Sequence, residues 1–245
     1  VKNIVIATPS YKDKVTVPYM GSIIDYLNSK KFRVMYNIYP GDSLVARARN
    51  ALFSNIVNNI NDFDYIIWQD DDVSATKEGI ERIISLGHDV IALATPLRYP
   101  PSQYGIRCAV MGVYEDCGNM LYKADFAGFG FFAMSRKACF DIVNYCENNN
   151  DWYMDRNNKV YDICKVGVNS AHIYESEDFY TCSLLRKLGY EIYVDSSTPV
   201  SHAQALRNPM PINSLSIQRK YTEINNTQRW DVWTPNDWET SGPLY

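Results

Sequence analysis

The chain has 245 residues, 46% of them hydrophobic and 21% charged, with a formal net charge of −4. That length carries a sizeable core in one large domain or two small ones, and the composition is that of an ordinary soluble globular protein. The acidic balance argues against nucleic acid as a partner, because phosphate binders concentrate basic charge.

The first half alternates two periods. "KNIVIATPS" is an apolar run ending in turn residues and reads as a buried strand. Met20, Ile23, Ile24 and Leu27 then recur at helical spacing on one face. "FRVMYNIYP" is a second strand, closed by Pro40-Gly41, and a helix follows from Leu44 to about Ile60, with Ala48, Leu52, Ile56 and Ile60 on one face. "DYIIWQ" is a third strand, "TKEGIERIISLG" a third helix ended by Gly87, and "DVIALATP" a fourth strand. Such alternation implies a mainly parallel sheet between helices, an α/β/α sandwich whose ligands bind at the carboxyl ends of the strands.

After Pro96 the pattern loosens. "LRYPPSQYGIRC" reads as a loop, "KADFAGFGFFAMS" as a glycine-interrupted strand and "RKACFDIVNYC" as a helix. Residues 147–175 are polar and irregular, and they lead to the helix "EDFYTCSLLRKLG" and the strand "YEIYVDS". One domain over residues 1–205 with an extension over 206–245 packed on it is the simplest division. The extension holds one helix, "NSLSIQRKYTEI", and Trp230, Trp233 and Trp238. Those tryptophans, with Trp152 and Tyr153, suit packing of the extension better than stacking on a ligand.

No segment approaches the roughly 18 apolar residues of a membrane span. The chain opens on Val1 in a strand, not a signal peptide, so an excised piece of a longer protein with further domains is expected. Six cysteines show no Cys-x-x-Cys pair and no metal spacing with histidine, which suggests thiols in a reducing, cytoplasmic compartment.

Asp70, Asp71 and Asp72 follow the third strand directly. Strand alternation would project Asp70 and Asp72 together and turn Asp71 away. Two carboxylates at a ligand-binding edge suit a hard divalent cation whose other ligands come from a substrate's phosphates. The plainer alternative is a solvated acidic turn in which Asp72 or Ser74 caps the next helix. A haloacid-dehalogenase-like phosphatase also places Asp-x-Asp at a strand end, but "DDDVS" only approximates its motif and no later paired-acid motif is found.

Together the motifs resemble those of the GT-A glycosyltransferases, from Val1 to about Ala205. "IIWQDDDV" is similar to the family's Asp-x-Asp motif, "DFAGFGFFAMSR" to its glycine-bearing acceptor strand, "ESEDFYTCSLLRKLGYEIYVD" to its x-Glu-Asp helix start, and "VSHA" to the segment carrying its metal-binding histidine. A closer likeness is to small glycosyltransferases of large DNA viruses such as chloroviruses, which would place the protein in a host cytoplasm.

The resemblance implies an α/β GT-A fold and transfer of a hexosyl or deoxyhexosyl group from a nucleotide-sugar, UDP-linked, to a carbohydrate hydroxyl. It implies Mn²⁺ or Mg²⁺ held by Asp70, Asp72 and His202, and Asp178 as general base in an inverting reaction, with Glu177 orienting it or binding acceptor. Asp178 alone would read as a helix-start acid favoured by the dipole. Thr8, Pro9 and Tyr11 would hold base and ribose, with Arg47, Arg49, Asp70, Asp71 and Arg98 completing the nucleotide site. Asp125, Gly128, Phe129 and Gly130 would face donor or acceptor sugar, although the glycines could equally mark a bulge. Two rivals stay open. A sugar-1-phosphate nucleotidyltransferase shares such a sheet, but "ATPSYKDK" stands where its glycine-rich loop would be. A catalytically silent carbohydrate-binding domain would have no need of the acid and histidine set.

Overall fold

The computed structural model describes residues 1–11, 14–97, 108–168, 172, 174–202, 205–207, 222–224 and 227–229. Strands β1 (Lys2–Ser10) and β2 (Phe32–Pro40) enclose helix α1 (Val17–Leu27), and α2 (Val45–Asn59) leads to β3 (Tyr65–Gln69). A short β4 (Val73–Ala75), α3 (Lys77–Leu86) and β5 (Val90–Leu93) follow, then β6 (Val110–Gly118), β7 (Leu121–Ala127), β8 (Phe131–Ser135) and α4 (Arg136–Asn149). Two small hairpins come next, β9 (Trp152–Asp155) with β10 (Asn158–Tyr161) and β11 (Gly167–Val168) with β12 (Tyr174–Glu175). Helix α5 (Glu177–Lys187), β13 (Ile192–Asp195), β14 (Val200–His202), β15 (Ala205–Arg207), β16 (Thr222–Ile224) and β17 (Thr227–Arg229) complete the order.

Eight strands form one sheet in the order β2-β1-β3-β8-β5-β13-β7-β6. It is mixed. β1 runs parallel to β2 and β3, and β13 parallel to β5, while β8 opposes β3 and β5 and β7 opposes β13 and β6. Antiparallel pairs therefore have a larger share than the strand–helix alternation suggested. One apolar cluster, with Leu52, Phe53, Ile56, Trp68 and Ile142, packs α2, α4 and α5 on one face. The other, with Tyr26, Ile67, Ile80 and Ile83, packs α1 and α3 on the opposite face.

Four expectations change. The helix face of Met20, Ile24 and Leu27 points to solvent, at 45%, 58% and 64% exposure, and Tyr19, Ser22 and Tyr26 are buried instead. Hydroxyls explain the rotation: Tyr19 Oη bonds Thr8 Oγ1 at 2.7 Å, and Ser22 Oγ accepts from the Ala75 amide at 3.1 Å. The glycine-interrupted strand is two strands, β7 and β8, separated in the sheet by β5 and β13 and joined by Gly128-Phe129-Gly130. β6 was not legible, because its outer half is exposed and lacks a clear alternation. Thr222–Ile224 pairs with Thr227–Arg229 as a hairpin, where the end of a helix was expected. Apart from the end of β15 and these two strands, the extension, with its three tryptophans, lies outside the described residues.

Candidate active site

The parallel strands β1, β2 and β3 end on one rim at Ser10, Pro40 and Gln69. The acid triplet sits there as a turn, not a strand. The Val73 amide donates to the Asp70 carbonyl at 3.0 Å, and the Asp71 carbonyl accepts from the Thr16 amide at 2.9 Å at the start of α1. Strand parity therefore does not divide the three side chains. Asp70 and Asp71 both line a cavity of ≈ 180 Å³ with Pro9, Tyr11, Asp42, Ser43 and Val45. Asp72 turns the other way, towards His202.

His202 arrives by sheet pairing. β14 runs antiparallel to β4 with His202 opposite Val73, which sets the imidazole beside Asp72. Its Nδ1 lies 2.7 Å from the Pro96 carbonyl oxygen, which can only accept, so Nδ1 carries a proton and donates. Nε2 faces Asp72 Oδ1 at 3.3 Å. A neutral ring would set a lone pair against a carboxylate, and either a proton or a metal cation resolves that. Burial works against the imidazolium, but the Asp72 carboxylate and the Pro96 carbonyl outweigh it and hold the pKa above its ordinary value.

Arg49 is the other junction. It is 3% exposed. Its Nη2 donates to Asp70 Oδ1 at 2.8 Å and its Nη1 to Glu177 Oε1 at 2.7 Å. Burial pushes the Glu177 carboxyl above its usual range, with Arg49 opposing. Next along α5, Asp178 Oδ1 accepts from the Ser176 hydroxyl and, at 2.9 Å, from the Phe179 amide. Its Oδ2 faces Gly128: a β-carbon there would stand 3.4 Å from it.

Among the described residues no three His, Cys, Asp or Glu side chains converge to hold a metal by themselves. Asp72 and His202 are brought together, whereas Asp70 is paired with Arg49. An oxygen and an imidazole nitrogen whose other ring nitrogen is anchored suit Mn²⁺ or Mg²⁺ as a two-ligand seat, with diphosphate oxygens and water supplying the rest.

Other expected site residues sit elsewhere. Thr8 is fully buried on Tyr19 and turns away from the cavity that Pro9 and the exposed Tyr11 line. Arg47 is exposed and forks onto Asp42 at 2.7 and 2.9 Å. Asp125, 2% exposed, pairs with Arg186 at 2.6 Å in the last turn of α5, the opposite end from Asp178. Phe129 is a core residue, its ring between Trp68 and Phe132 and beneath Arg49. The open side of Gly128 is filled by Ala109 and that of Gly130 by Thr95, so protein backbone and side chains, not sugar, use the missing side chains. Arg98 lies outside the described residues. Asp42 and Ser43 were missed. Their place after β2, beside the end of β1, is the signal that would have found them.

No protein-family model and no curated protein matches the sequence. Solved structures do. A197 from STIV aligns over 91% of this chain and 98% of that one, at 17% identity and a TM-score of 0.52. GalNAc-T7, crystallised with UDP, GalNAc and Mn²⁺, aligns over 81% of this chain and 42% of that one, at 9% identity and a TM-score of 0.51. The fold is of the GT-A glycosyltransferase type. A glycosyltransferase involved in glycosylation of the major capsid of PBCV-1 aligns over 65% of this chain and 72% of that one, at 13% identity, and its TM-score of 0.34 carries no argument. At these identities the likeness concerns the GT-A fold alone, and chemistry must be argued from the site. Among the described residues no helix is long and apolar enough to cross a membrane.

Proposed function

We propose that the chain is a metal-dependent glycosyltransferase that moves a hexosyl or deoxyhexosyl group from a UDP-sugar to a carbohydrate hydroxyl with inversion. The observation that carries this reading is the Asp72–His202 pair at the strand rim. Its 3.3 Å separation and anchored Nδ1 leave a cation as the natural third member. GalNAc-T7 is the motive for UDP and Mn²⁺, which are its crystallised ligands.

The metal, when bound, would neutralise the departing diphosphate. Asp72 and His202 would hold it. Pro9, Tyr11, Asp42 and Asp71 would receive base and ribose in the cavity that Asp70 also lines. Asp178 would take the acceptor proton: Ser176 and the Phe179 amide hold one carboxylate oxygen, which leaves the other available beside Gly128. Glu177, held by Arg49, would fix the turn that carries it.

Incubation with a panel of nucleotide-sugars tests the reading. Transfer or donor hydrolysis that needs Mn²⁺ is expected. If no donor shifts the melting temperature and EDTA changes nothing, the reading fails. Nucleotide-free phosphate release from simple esters would favour a phosphatase, and pyrophosphate release from a nucleoside triphosphate with sugar-1-phosphate a nucleotidyltransferase.

A further inference from the structure

Three stretches far apart in sequence meet on Arg49: the acid turn through Asp70, the first turn of α5 through Glu177, and the β7–β8 link through the Phe129 ring, 5.2 Å beneath the guanidinium. The next residue reaches α5 by a second route. The Asn50 side-chain carbonyl accepts from the amides of Ile163 at 3.0 Å and Cys164 at 2.8 Å, and its amide donates to Asp162 at 2.7 Å. The Ile163 carbonyl accepts in turn from Thr181 Oγ1 at 2.8 Å. Helix α2 thus grips α5 at Glu177 directly and at Thr181, one turn on, through residues 162–164.

The family likeness would put Arg49 on the nucleotide. The geometry points to a different role: Arg49 is a positioning residue that fixes the first turn of α5, and with it Asp178, against the acid turn, and it makes no nucleotide contact. The residue is 3% exposed, and its two terminal nitrogens each donate to a different carboxylate. The planar fork is what this requires. A lysine gathers its donors at one point and lacks the two separate terminal nitrogens with which the guanidinium reaches Asp70 and Glu177. The role of Asp178 rests on the transferase reading. The mechanical claim does not.

The test compares the full chain with Arg49→Lys by amide hydrogen exchange, calorimetry with Mn²⁺ and UDP, and steady-state kinetics. Exchange at Phe179, Tyr180 and Thr181 should quicken by about tenfold or more, because the turn loses one of its two tethers. UDP affinity should stay within about threefold, while kcat falls by about 10- to 100-fold at nearly constant donor KM, as misplacement of a base implies. Unchanged exchange, or a tenfold loss of UDP affinity, overturns the proposal. If Arg49→Lys does not fold, Glu177→Ala removes the acceptor and cuts the same tether from the other side, and it must show the same exchange pattern. A wild-type protein that turns over no nucleotide-sugar would remove the transferase reading and leave the exchange result to decide this one.

Discussion

Gly128 and Asp178 face each other across the junction of β7 and α5, close enough that a β-carbon on Gly128 would stand 3.4 Å from Asp178 Oδ2 and 2.7 Å from the Ala109 β-carbon. The second distance is shorter than two carbons tolerate, and the Gly128 amide is already tied to the Ala109 carbonyl at 2.7 Å. Gly128→Ala should therefore lower stability by about 1–3 kcal/mol, the usual range for overpacking. At Gly130 the obstacle is the Thr95 Cγ2 methyl, 2.8 Å away. Gly130→Ala should likewise destabilise, and adding Thr95→Ser should recover part of the loss. Denaturant melts of the two singles and the double check this. A Gly130→Ala loss that Thr95→Ser does not reduce would place the strain elsewhere.

Asp178→Asn keeps the shape of the side chain and removes its basicity. On the proposed function, transfer should fall by about 10²–10⁴-fold, the range for a lost general base. Mn²⁺-dependent UDP binding should be unchanged in calorimetry, because Asp178 is held on Ser176 and Phe179, not on the cavity. Survival of both activities would remove Asp178 from the chemistry.

On the proposed function, the Asp72–His202 pair would hold the metal. His202→Ala and Asp72→Ala should each abolish the rise in melting temperature given by Mn²⁺ with UDP. Asp70→Asn should weaken it less, since Asp70 already answers to Arg49. A shift lost only in Asp70→Asn would invert the assignment. EDTA on the wild type should reproduce the alanine variants.

How far the sequence went depended on whether the relevant partner was local. Apolar periods found α2, α3, β1 and β3, because each signal lies within its own segment. The acid triplet was legible as an acidic cluster at the strand rim, but the directions of its three side chains were not, since the turn is imposed by Thr16 and by the short β4. His202 was picked for its place after the last strand. What sets it beside Asp72 is β14 pairing with β4, a contact no local pattern announces. Asp125, expected to face a sugar, pairs with Arg186 from another element. The face of α1 was misjudged because Tyr19, bonded to the Thr8 hydroxyl, and Tyr26 are buried in place of Met20, Ile24 and Leu27.

The thiols give a check on the core. All six cysteines are free, and five are buried, with Cys117 exposed on β6. Burial pushes the Cys146 and Cys164 thiols up to about 12. Native alkylation at mildly alkaline pH should label Cys117 alone, slowly, because partial burial and then Glu115 raise its pKa as well. Six labels should appear in denaturant. A second native label would mean that one of the other five is open to solvent.

Asn50 is 3% exposed and has two buried hydrogen bonds and one part-buried bond to lose. Asn50→Ala would leave the amides of Ile163 and Cys164 without an acceptor, and an unmade buried bond costs about 1–3 kcal/mol. The Asp162 carboxylate would lose its donor as well. The expected cost is about 2–5 kcal/mol, from at least two such losses that share one site and so do not add fully. Asn50→Asp keeps an acceptor for both amides but sets a carboxylate against Asp162, and so should recover little. Equilibrium unfolding of both variants decides it. A loss below about 1 kcal/mol in Asn50→Ala, inside the range of ordinary surface changes, would show that residues 162–164 are held by something else.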